Sequence, residues 1–102
     1  MPVFRTKKEA FEWLVSGKKT IDVRKGKPYH GEVAVYLSGR NVLKLKITKI
    51  ETGKLAEVIR LDNFRLIIPS ALILGDTLAY LRGLYIGSDN VDVFTAYYLA
   101  PL

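Results

Sequence analysis

The segment Gly17-Lys18-Lys19-Thr20-Ile21-Asp22-Val23-Arg24 concentrates the residue types that do chemistry. Lys19, Asp22 and Arg24 place one carboxylate between two cations, an arrangement that fixes cation geometry while surplus positive charge stays available to an anion. Asp22 is better suited to orienting Lys19 or Arg24 than to acid catalysis, because neighbouring cations favour its ionised form. Arg24 has two readings, a fork onto a phosphate or base edge and an internal ion pair with Asp22. Lys18, Lys25 and Lys27 flank the segment, and Tyr29 and His30 follow in the next loop. Cations interleaved with rings suit single-stranded nucleic acid, where lysines track phosphates and rings stack on bases. Packing over a barrel end is the plainer role for Tyr29, and a backbone hydrogen bond for His30. Lys44, Lys46 and Lys49 form a second basic strip, which as readily describes a solvated strand face.

These residues need elements to hold them. Thr6-Lys7-Lys8-Glu9 has the spacing of a capping box, and Ala10, Phe11, Leu14 and Val15 continue it at helical spacing. Gly17 stands where a helix end favours a left-handed residue. Alternation over residues 20–24 predicts a short strand with Ile21 and Val23 inward and a polar face of Thr20, Asp22 and Arg24. Residues 25–31 read as a loop, 32–37 as a strand with Val33, Val35 and Leu37 inward, 38–41 as a turn and 42–51 as its partner. The phase of that partner slips at Lys49-Ile50, which predicts a bulge. A short helix is expected over 55–59, a turn near 62–65, and a longer helix with Asp76 as N-cap and a stripe of Leu74, Leu78, Leu81 and Tyr85. Trp13, Tyr80 and Tyr85 are expected as semi-buried anchors of the two main helices. The β-branched and aromatic run from Val91 to Leu99 predicts a closing strand, in which Tyr97 and Tyr98 must face opposite sides. Such an order gives an α+β fold, a strongly curved sheet or barrel with helices at its ends, and no doubly wound parallel sheet.

At 102 residues the chain is one domain, long enough for its own core. The absence of cysteine excludes disulfides, thiolate metal sites and cysteine nucleophiles, and His30 alone supports neither a histidine-rich metal site nor a histidine pair. No cofactor and no metal are expected. The longest apolar stretch, 66–74, is broken by Pro69 and Ser70 and is about half the ~20 residues of a membrane span. With no secretory leader, a soluble cytoplasmic protein off the membrane is expected. No glutamine and three asparagines fit the thermophile tendency to avoid labile amides. The net charge of +6 is uneven: residues 1–60 carry fourteen Lys and Arg against six Asp and Glu, residues 61–102 two against four. The positive surface belongs to the first part of the chain, and it points to phosphates or other anionic partners.

Gly17, Lys19, Asp22 and Arg24 match in place the G-x-K-x-x-[DE]-x-R signature of the ASCH domain, and the segment resembles that branch of the PUA-like superfamily. The opening helix, the strand start at Gly31-Glu32-Val33, the Leu81…Leu84-Tyr85 helix and the terminal strand extend the resemblance over nearly the whole chain. The resemblance implies a small PUA-like β-barrel of strongly curved, mostly antiparallel strands with two or three helices at its ends. It also implies an RNA-binding cleft lined by the motif. Lys18, Lys19, Asp22, Arg24, Lys25, Lys27 and Tyr29 would then hold RNA or a nucleotide. Some ASCH-like proteins are hydrolases, including an amidohydrolase of acetylated cytidine and a ribonuclease of single strands. In the amidohydrolase the motif lysine works with a threonine, in the slot that Asp22 fills here, and with a later glutamate. The hydrolase alternative therefore names Lys19, Thr20 and Asp22 as catalytic candidates, Ser38 or Tyr29 as further partners, and Glu51 or Glu57 as the glutamate. A third reading is an interaction domain or homodimer that uses the exposed hairpin edge.

Overall fold

The computed structural model describes residues 1–87 and 92–102. Strand β1 (Val3–Arg5) leads into helix α1 (Lys8–Val15), followed by β2 (Ile21–Lys25), β3 (Val33–Ser38) and the long β4 (Asn41–Gly53). The one-turn helices α2 (Leu55–Val58) and α3 (Phe64–Ile67), helix α4 (Leu74–Leu84) and strand β5 (Phe94–Pro101) complete the order. The strands form one sheet in the order β1-β3-β4-β5-β2, curled into a half-barrel. The β1–β3 pair is parallel and the rest are antiparallel. The expected α+β architecture is thus present, with four helices among the described residues where two or three were expected, and with a strand at the N-terminus that three residues are too short to announce. Val91, the expected start of the last strand, lies outside the described residues.

Burial follows from alternation. On β2 and β5, Ile21, Val23, Phe94 and Ala96 face outward from the curl and are covered by Val58, Ile59, Ile67, Ile68 and Leu81 of the helical stretch. The opposite face carries Tyr97 and Leu99, which pack inside the curl with Phe4, Ala34, Tyr36, Leu45 and Leu14 of α1. β5 is therefore buried on both faces, the physical reason for its dense run of apolar residues. Tyr97 and Tyr98 do divide between the two faces.

The β3–β4 hairpin forms with Ser38 opposite Asn41, but the face of β3 that enters the core is Ala34 and Tyr36, paired with Leu45 and Leu43, rather than the expected Val33, Val35 and Leu37, because β3 is a central strand covered on both sides. The bulge lies between Ile47 and Lys49, one residue before the expected slip. This hairpin runs inside the sheet, flanked by β1 and β5, so the sheet edges are β1 and β2, and only residues 41–44 of β4 extend past the last pair with β5.

Two caps differ from expectation. Lys7, not Thr6, is the N-cap of α1, and no side chain caps it. Thr6 is drawn into the sheet instead, its N–H donating to Leu37 O at 2.8 Å. Asp76 occupies the third position of α4 rather than the cap, and its Oδ2 accepts from the Leu72 and Ile73 amides at 2.9 and 3.2 Å. A carboxylate at that position reaches back to the amides before the helix, so the helix begins three residues earlier.

Candidate functional site

The site begins at the end of α1. Gly17 adopts φ +78°, the left-handed region that glycine enters without steric cost, and its N–H donates to Leu14 O. Two residues on, the Lys19 N–H donates to Trp13 O. The chain is thereby reversed against α1, and the Lys19 side chain is turned into the protein, 4% exposed. Its Nζ donates to Ile21 O at 2.9 Å and to Ile67 O at 2.5 Å, and lies 3.9 Å from Asp22 Oδ1. Burial lowers the Lys19 pKa to about 8, with Asp22 opposing that shift and Arg24 adding to it.

The face of β2 read as polar is not a solvent face, because Asp22 is only 6% exposed. Asp22 Oδ2 accepts from Arg24 Nε at 2.7 Å and from the buried Tyr36 hydroxyl at 3.1 Å. Burial and then the Asp22 charge push the Tyr36 phenol well above its ordinary pKa, which keeps it a donor. Arg24 continues outward: Nη1 donates to Arg5 O at 3.0 Å, Nη2 to Thr6 Oγ1 at 3.2 Å, and the guanidinium carbon sits 4.5 Å above the Phe4 ring. Arg24 thus spans the two edge strands, tying β2 to the end of β1 where no backbone ladder joins them. The internal ion pair is one of the two readings for Arg24, and it leaves two of the five guanidinium N–H groups uncommitted.

These side chains form one wall of a cleft of about 210 Å³. Arg5, Lys7, Lys19 and Arg24 line it against a single carboxylate, Asp22, while Tyr80 and Tyr85 belong to the facing wall. The volume lies below the ~300–1,000 Å³ of drug-sized sites and accommodates a group of nucleobase or nucleoside size. Tyr80 packs on Trp13 at 6.3 Å between ring centroids, and Tyr85 packs edge-on to Phe94 at 5.7 Å. Both tyrosines are half-buried anchors, and both also face the cleft. Burial raises the pKa of each.

The structure brings Lys19, Asp22 and Arg24 together and sets the other candidates apart from this cleft. Lys18 and Lys27 are exposed, and Lys25 pairs with Asp92 at 3.3 Å. Tyr29 is 66% exposed; its backbone N–H donates to Tyr97 Oη and its ring lies edge-on to Phe4. Thr20 lines a second, largely apolar cleft beside Gly17, Leu43 and Leu99, which Lys19 borders from its other side. Ser38 lies at the hairpin turn. Glu57 caps α2, accepting from the Lys54 amide, and Glu51 is held by Tyr98 and Arg60, so neither reaches the cleft wall. Five polar or aromatic lining residues are not among the candidates that the sequence offers: Thr6 and Lys7 read as a capping box, Tyr80 and Tyr85 as helix anchors, and Arg5 sits in a strand too short to recognise. Among the described residues no group of three or more His, Cys, Asp or Glu side chains could hold a metal ion, and no helix is long and apolar enough to cross a membrane.

No family model matches the sequence, and no curated protein matches it either. By fold, the chain is similar to the hypothetical protein PH0355, with a TM-score of 0.78 and 17% identity over 98% of this chain and 97% of that one. It is similar also to ASCH from Zymomonas mobilis (TM-score 0.69, 20% identity) over 96% of this chain and 65% of that one. A single-residue variant of the Zymomonas protein gives a TM-score of 0.65 at 19% identity, over 96% and 66% of the two chains. This chain therefore spans about two thirds of the length of the Zymomonas protein. Together with the half-barrel order and the clustered Lys19, Asp22 and Arg24, these likenesses establish that the chain has an ASCH-type fold.

Proposed function

We propose that the protein binds single-stranded RNA, with part of the strand held in the cleft beside Lys19, Asp22 and Arg24. The observation that carries this reading is the composition of the cleft wall: four cations against one carboxylate, facing two tyrosine rings. Cations answer phosphates and rings answer bases, and both are needed for a strand whose bases are unpaired. The fold likeness to ASCH proteins is consistent with it. Binding of a fluorescent single-stranded RNA should weaken steeply with salt, with a log–log slope near −2 if about three phosphates are neutralised. Leu84 is exposed at the cleft rim, so Leu84→Glu should lower affinity at least tenfold through repulsion. A larger charge change on the hairpin, Lys44→Glu with Lys46→Glu, should cost much less. The reverse pattern would place RNA on the hairpin and overturn the cleft reading.

A second reading, a small hydrolase of a modified nucleoside or of RNA, is favoured by one observation. Lys19 borders the cleft with a pKa of about 8, so a useful fraction of its amine is neutral and able to take a proton under mildly basic conditions. Thr6, whose hydroxyl accepts from Arg24 in the same cleft, is then the candidate partner, since Thr20 lines the other cleft. Incubation with N4-acetylcytidine and with single-stranded RNA tests it. Acetate or RNA fragments released no faster by the wild type than by Lys19→Met would sink this reading.

A further inference from the structure

The four cations of the cleft are not equivalent. Lys19 spends its N–H groups on two buried carbonyls beside Asp22, and Arg24 spends three of its five on Asp22, Arg5 O and Thr6. Turning either onto a phosphate would strand buried partners, a cost that opposes binding. Arg5 and Lys7 are different. Both are exposed, both line the cleft, and among the described residues neither pairs with a carboxylate. They flank Thr6 on the β1–α1 connection, which the Arg24 clamp holds in place. Tyr80 on α4 and Tyr85 at its C-cap also line the cleft, held by Trp13 and Phe94, so their rings are positioned before any ligand arrives. The volume of about 210 Å³ leaves room for one base.

We infer that the cleft is a mononucleotide pocket in which Arg5 and Lys7 hold the phosphate and the Tyr80–Tyr85 wall holds the base, the motif cations acting as scaffold. The inference deepens the RNA-binding reading and rests on it for the choice of ligand class. It assigns phosphate recognition to two residues outside the Gly17–Arg24 segment. Arg24 is a positioning residue here, because it reaches the ligand through the connection it clamps.

Calorimetric titration with uridine and adenosine 5′-monophosphates, their nucleosides and inorganic phosphate tests it. Monophosphates should bind at least tenfold more tightly than nucleosides. Arg5→Ala with Lys7→Ala should erase that difference while leaving nucleoside affinity within about twofold, and Tyr80→Leu should weaken both ligand types by similar factors. Both altered cations are exposed, and a thermal melt matching the wild type confirms that the double variant is folded. Equal affinity for monophosphate and nucleoside, or a double variant that weakens both equally, overturns the assignment. Wild-type RNA binding that ignores the double variant overturns it too and leaves the RNA-binding reading standing. The expected mononucleotide pattern without binding of single-stranded RNA does the opposite, keeping the pocket and removing the RNA strand as its ligand.

Discussion

Replacing Lys19 with methionine should change how stability depends on pH as well as lower stability at each pH. In the fold the Lys19 pKa is about 8, against an ordinary value of 10.5 that the unfolded chain retains. Between these values the unfolded chain binds more protons than the native one, so unfolding free energy rises with pH. For one group with these two pKa values, the gain from pH 7 to pH 10 is about 2.5 kcal/mol. It is nearly absent below pH 7, where both states hold the proton. Above about pH 10 the buried tyrosines act against it, because Tyr36, Tyr85 and Tyr97 have raised pKa values and their unfolded forms ionise first. Lys19→Met keeps those tyrosines and removes only the amine. Its absolute stability should fall by about 1–3 kcal/mol at pH 7, since Ile21 O and Ile67 O lose their donor. Urea titrations of both proteins at pH 7, 8, 9 and 10 give the difference curve. That difference should widen by about 2 kcal/mol toward pH 10. Parallel profiles would refute the claim that a charged, buried Lys19 is a burden on the fold at neutral pH.

Other outcomes follow from the same geometry. Asp22→Asn keeps one oxygen to accept from Tyr36 or Arg24 but removes the counter-charge of Arg24 and Lys19, and should lower stability by about 3 kcal/mol in urea melts; a loss under about 1 kcal/mol would show that the ion cluster is dispensable. Gly17→Ala meets no atom within 4 Å but is forced to φ +78°, so it should cost about 1 kcal/mol, or ~4–8 °C in Tm. Gly83→Ala on α4 also meets open space, with ordinary helical backbone, and should raise Tm by a similar amount. Equal shifts of the same sign in the two glycine variants would contradict the backbone argument.

Local chemistry made much of this fold legible. The β3–β4 hairpin with its turn at 38–41 and the helical stripe of Leu74, Leu78, Leu81 and Tyr85 each depend on neighbours in sequence, and each is present in the structure, whereas the choice of Val33, Val35 and Leu37 as the inward face of β3 is reversed. The illegible parts depend on distant partners. Thr6 looks like a cap until Arg24, eighteen residues on, uses its hydroxyl. Lys19 looks like a surface lysine until Ile67 O, forty-eight residues away, accepts a hydrogen bond from it. Asp22 and Arg24 read as a wetted strand face because nothing in the sequence says that β1 will lie across from β2 and that Tyr36 will rise beneath them. Of the cleft, the sequence shows Lys19, Asp22 and Arg24, and it conceals Arg5, Thr6, Lys7, Tyr80 and Tyr85, whose shared location is produced only by the curl of the sheet.

The strand order carries a consequence for how the molecule is made. β2, which bears Asp22 and Arg24, has β5 as its sheet neighbour, and the β3–β4 hairpin and the whole helical stretch lie between the two in sequence. During synthesis the motif strand waits without that ladder partner until residues 94–101 leave the ribosome. Pairing the two requires those residues to insert between β4 and β2, a contact of high sequence separation and correspondingly slow formation. A chain cut before residue 94 would keep the residues of the β3–β4 hairpin and leave β2 without its sheet partner.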